Sequence, residues 1–92
     1  MIAHYSIPGD GVWHDVNTLA SLALGTACRL INIGVGDLYV ETGQTVPASN
    51  AFGLPLTNIY QPYAVMEVPF GADTIWVRAE DKDGGILAVQ EV

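Results

Sequence analysis

The sequence predicts an all-β fold, a small antiparallel β-sandwich or jelly-roll-like barrel with one long irregular loop. Three observations predict it. Short apolar runs recur every 8–12 residues or so, the spacing of sandwiches and compact barrels. Between them stand turn-forming groups such as Pro8-Gly9-Asp10-Gly11, Gly34-Val35-Gly36-Asp37 and Asp81-Lys82-Asp83-Gly84-Gly85. Helical character is confined to one short segment, too brief to hold as a helix without packing.

In chain order, a first strand is expected over residues 3–7 and another around 12–16, separated by the Pro-Gly-Asp-Gly turn. Asn17 is placed to cap one or two helical turns with Leu19, Leu22 and Ala23 on one face and Gly25 as the stop. Strands follow over residues 28–33, 38–42, 64–68, 74–79 and 86–91. The four residues Gly34 to Asp37 read as a hairpin connection, and Asp83-Gly84 between apolar runs reads as a second hairpin, because its residues tolerate positive φ. Residues 1–92 form a single domain, with residues 1–11 as an extended N-terminal arm able to order on docking.

Two stretches break the pattern. Residues 43–62 hold Pro47, Gly53, Pro55 and Pro62 with little alternation, yet include Phe52, Leu54, Leu56, Ile59 and Tyr60. A compact domain rarely carries so long an irregular loop without a use, and this one is expected to pack on its own domain or on another chain. Several strands are also apolar on both faces. Ile75, Val77 and Ala79 oppose Thr74, Trp76 and Arg78, and Leu87 and Val89 oppose Ile86 and Ala88. A sheet with one wet face should alternate more cleanly.

Composition narrows the function. Half of the 92 residues are hydrophobic and only 14% are charged, about half the usual share of charge. That excludes intrinsic disorder. Ten acids against three bases give a net charge of −7, which argues against a nucleic-acid partner, since a phosphate backbone demands clustered Lys and Arg. No apolar run reaches the length of a membrane span, and the N-terminus lacks the charged and apolar regions of a signal peptide. The single cysteine, Cys28, reads as a small buried hydrophobe.

No catalytic, cofactor-binding or metal-binding residues emerge. His4 and His14, with Asp10 and Asp15 near them, match no metal-ligand spacing. Glu80, Asp81 and Asp83 crowd a turn but lack the further carboxylates of a calcium loop. Ser6, Ser21, Ser49 and Cys28 lie in no nucleophile context, and Gly9-x-Gly11 and Gly34-x-Gly36 lack the third glycine and the helix of a phosphate cradle. The aromatics remain. Tyr5, Trp13, Phe52, Tyr60, Tyr63, Trp76 and Arg78 are the expected partner-interface residues, because Trp, Tyr and Arg dominate binding hot spots. The competing reading is that the tryptophans complete the core.

The chain resembles small virion proteins of tailed bacteriophages, of the capsid decoration or cement type, from about Val12 to the C-terminus. The likeness is carried by Trp13, the Leu-rich segment ending at Gly25, Ile31-Asn32-Ile33-Gly34, Thr45-Val46-Pro47, Gly53-Leu54-Pro55-Leu56, the run from Gly71 to Ala79, and Leu87-Ala88-Val89-Gln90-Glu91. Such proteins are commonly small β-sandwiches or jelly rolls. The resemblance implies a structural protein without catalytic residues or cofactor. It would bind the major capsid protein and itself, as a dimer or trimer, on the capsid exterior after assembly in the host cytoplasm. A tail or head–tail connector component, a carbohydrate- or receptor-binding β module, and a minimal cupin-like enzyme are the alternatives, in that order.

Overall fold

A computed structural model describes residues 2–48, 51, 53–57 and 64–92. Among the described residues the chain forms eight strands and one short helix: β1 (Ile2–Ile7), β2 (His14–Asp15), α1 (Val16–Leu19), β3 (Cys28–Asn32), β4 (Leu38–Thr42), β5 (Leu54–Leu56), β6 (Val65–Val68), β7 (Ile75–Ala79) and β8 (Gly85–Glu91). They make two four-stranded sheets, a first in the order β1-β8-β3-β6 and a second in the order β2-β7-β4-β5. All pairings are antiparallel.

The order follows from a single operation. Pairs β4·β5, β3·β6, β2·β7 and β1·β8 nest inside one another, as in one long antiparallel ribbon doubled back after β4. Rolling that ribbon brings β8 beside β3 and β7 beside β4. This is the topology of a jelly roll, in the form of a sandwich whose two sheets do not close into a barrel.

The rolled ribbon changes the meaning of two turns. The segments after β3 and after β7 were both expected to close hairpins, but each carries the chain from one sheet to the other. Their glycines serve close approach. Gly84 has φ +80°, and a Cβ there would strike the Ile7 carbonyl, so the crossing into β8 lies directly on the end of β1. The N-terminal segment differs from expectation as well. Residues 2–7 are no free arm but an edge strand, paired with β8 from Ile2↔Gln90 to Ile7↔Gly85.

Period-two alternation places the core between the sheets. Cys28, Leu30 and Asn32 of β3, Leu38 and Val40 of β4, Ile75, Val77 and Ala79 of β7, and Leu87 and Val89 of β8 all point inward, joined by Ile7, Leu56 and Val68. Each fully buried Leu, Ile or Val contributes about 1.5–3 kcal/mol of burial. The helix is a single turn capped by Asp15 rather than Asn17, with Asp15 Oδ1 accepting from Thr18 N at 3.0 Å. Asn17 instead ties the helix to β7, its Oδ1 accepting from Ile75 N at 2.8 Å. Leu19, Leu22 and Ala23 share no buried face: Leu22 enters the core while the other two are exposed. Strand β5 falls where an irregular loop was expected.

Among the described residues, one polar side chain sits in this core. Asn32 is fully buried, donating from Nδ2 to the carbonyls of Gly36 and Leu56 at 2.9 Å each and accepting at Oδ1 from Gly34 N at 3.0 Å. Replacing it with leucine would strand two carbonyls and one N–H. Asn32→Leu is expected to lower the unfolding free energy by about 3 kcal/mol or more, measured as a reduced urea midpoint at unchanged slope.

Candidate partner interface

The expected interface residues separate into groups. Phe52, Tyr60 and Tyr63 lie outside the described residues. Tyr5 points inward from β1, half-buried against the core and beside a cleft of about 330 Å³ lined by Ala3, Ala20, Leu22, Val89 and Glu91. Trp13, Trp76 and Arg78 come together on the outer face of the second sheet.

There the two tryptophans hold the chain's own long loop. Trp76 Nε1 donates to the Gly43 carbonyl at 3.0 Å, and Trp13 Nε1 donates to the Ala48 carbonyl at 3.2 Å. Gly43 N in turn donates to Thr74 O at 3.0 Å. The Trp13 ring reaches Gly53, whose φ of +68° no β-branched or bulky residue adopts readily and where a Cβ would come within 2.8 Å of the indole. The Arg78 guanidinium lies over two rings, 5.1 Å from the Trp13 centroid and 5.5 Å from that of Tyr39, an arrangement that attracts through the ring quadrupole. Trp13 is left only 5% exposed. The described part of the loop is therefore tied to its own domain at Gly43, Ala48 and Gly53, by Trp76 and Trp13.

Two other surfaces remain apolar and open. On the outer face of the first sheet, the strand registers align His4, Ala88, Ile31 and Val65 in one row. Ala88 is buried by its neighbours, whereas Val65 is 53% exposed and nearby Ile86 is 41% exposed. The adjacent row is polar: Arg29 Nη2 donates to Glu67 Oε1 at 2.9 Å, and Arg29 faces Gln90 on its other side. The second surface is a tip at one end of the sandwich. Gly71 N donates to Gly25 O at 2.9 Å, holding two loops together. The residues preceding these glycines, Phe70 and Leu24, are 86% and 66% exposed. Neither was singled out from sequence. The signal in the sequence was the turn-forming run Pro69-Phe70-Gly71; in the structure Ala72 N donates to Pro69 O, and Gly71 has φ +87°. That places Phe70 at the outer corner of a turn, where its side chain must face away from the fold.

The polar candidates have local partners. His14 Nε2 lies 3.1 Å from Asp10 Oδ1, which also accepts from Val12 N at 3.1 Å. His4, exposed on β1, stands ten positions away along the sequence. Asp81 Oδ1 accepts from Asp83 N at 3.0 Å, closing the acidic turn. Among the described residues no group of three or more His, Cys, Asp or Glu is placed to hold a metal ion, and no helix is long and apolar enough to cross a membrane.

Two titrations follow. The hydrogen bond from His14, then that from the Val12 N–H, hold the Asp10 carboxyl below its ordinary value of 3.8. A depressed carboxylate stabilises the fold above its unfolded pKa, and that contribution disappears as pH falls through the folded pKa. NMR titration should give Asp10 a midpoint below 3.8, returning toward that value in His14→Ala. Burial, then the charge of Glu91, pushes the Cys28 thiol above its ordinary 9.0. At about pH 8 a thiol reagent should therefore modify Cys28 only after unfolding. No family model, curated protein or solved structure matches the chain.

Proposed function

We propose that this chain is a structural virion protein that binds a phage capsid shell and stabilises it by bridging subunits of the major capsid protein. The observation that carries the reading is the apolar tip, where Phe70 and Leu24 stand exposed on a chain of net charge −7. An aromatic held out by a tight turn is a low-entropy anchor for a pocket on a partner. The outer stripe of Ile31, Val65 and Ile86 supplies a second apolar contact, so one subunit can touch two neighbours. Jelly rolls serve in viral capsids, but also in lectins and cupins, so the fold supports the reading without deciding it. Trp13, spent on the chain's own loop, offers no open stacking platform of the kind a sugar requires.

Shell proteins repeat many times per particle, so contacts that are individually weak act together through effective concentration. Particles banded from a phage carrying this gene should contain the chain in fixed ratio to the shell protein, on the outer surface by immunogold labelling. Label confined to the tail or portal vertex would assign it to those parts instead, and its absence from the particle would overturn the reading. Phe70→Asp should weaken binding to empty shells by about 30-fold or more while leaving the melting temperature unchanged. Undiminished binding would remove the tip from the mechanism.

A further inference from the structure

The four sheet edges are not alike. Edge strands expose unpaired N–H and C=O groups, and proteins blunt them by shortness, proline, charge or bulges. Strand β2 has two residues, including Asp15, and runs straight into α1. Strand β5 has three, with Pro55 at its centre. Strand β6 has four, with exposed Glu67 inside it and Pro69 after it. Strand β1 is followed by Pro8, as β6 is by Pro69, but it is longer than the other three edge strands and nothing inside it blunts it. Its six residues, Ile-Ala-His-Tyr-Ser-Ile, contain no proline, acid, lysine or arginine, and its register with β8 runs without a bulge.

We infer that the free edge of β1 pairs antiparallel with β1 of a second copy, joining the two first sheets into one continuous eight-stranded sheet across a two-fold axis. An antiparallel pair of identical strands is self-complementary, so one edge completes two protomers. Charge bears on the choice as well: each copy carries −7, and β1 itself holds no acid to oppose its mate, although Glu91 lines the inner cleft beside it.

The register is constrained too. A two-fold axis normal to the sheet keeps outer faces aligned, so residues that meet must have the same parity. Centring on Tyr5 would set Ile2 against Pro8, which has no N–H to donate. Centring on His4 avoids that. It sets Tyr5 of each copy against Ala3 of the other on the inner face, where the cleft of about 330 Å³ beside Ala3 has room for an aromatic ring. On the outer face it joins the row Val65, Ile31, Ala88, His4 to its symmetry mate.

The test uses purified protein alone, so its result stands apart from whether the chain binds capsids. Sedimentation equilibrium of the wild type up to about 100 µM should give twice the monomer mass. His4 is exposed, so His4→Lys should fold, with the melting temperature of the wild type at concentrations too low for the dimer. By setting two lysines face to face across the axis, it should weaken the dimer at least about tenfold. His4→Cys should cross-link to a dimer with a short bis-maleimide, whereas the wild type, whose only cysteine is buried, should not. A wild type that stays monomeric over this range, or a His4→Lys variant that dimerises as well as the wild type, overturns the inference.

Discussion

The two sheets are held in relation to each other by Asn32. Apolar packing alone tolerates sliding, because one Leu or Val can replace another against a facing surface. Asn32 permits no such substitution. Its amide joins the end of β3 to the crossing at Gly34 and Gly36, and to the carbonyl of Leu56 on β5 in the opposite sheet. A one-residue slip of β3 would turn Asn32 to the outer face and leave all three backbone groups unpaired in the core. With the crossing fixed, Leu38 enters β4 pointing inward and meets Ala79 and Leu56 across the second sheet. The rest of that sheet follows from this register.

Much of the strand pattern was legible in the sequence, and the pairing was not. Residues 38–42 form a strand as expected, and β3, β6, β7 and β8 begin or end within a residue or two of their expected limits. Period-two alternation and turn residues act locally, so they can be read locally. A turn such as Asp83-Gly84, however, reverses the chain equally well within a sheet or between two sheets. Which happens depends on whether β8 finds β3 and β1 or its predecessor β7, a choice made by residues far away in sequence. Strand β5 was missed because Pro55 and the absence of alternation hide a three-residue edge. Asn17 resembles a cap in sequence, but Asp15 stands two residues earlier and takes the role, leaving Asn17 free to hold β7.

The shortage of charge takes a different form on each sheet. On the outer face of the second sheet Trp76 and Tyr39 stand among Arg78, Glu41 and Asp15, and the chain ties its own loop there through Trp13 and Trp76. The outer face of the first sheet has no such cover among the described residues. Apolar character on both faces of a strand thus has two origins in one small domain. Only the structure separates a face closed by the chain itself from one left open, because the closing residues lie some 30 or more positions away along the sequence.

The nesting of β1 with β8 has a consequence for biogenesis. Strand β1 is made before the other described strands, but its partner in the sheet is the last of them. The first sheet also keeps β8 between β1 and β3, so β1 has no hydrogen-bonding neighbour in the sheet until β8 has been made. Folds built from such distant pairings form slowly, and their strands stay exposed to other chains in the meantime. An unprotected first strand awaiting its partner is therefore the point at which a crowd of identical nascent chains is most prone to misassemble. Expression yield should accordingly depend on how fast these chains are made as well as on how stable the finished fold is.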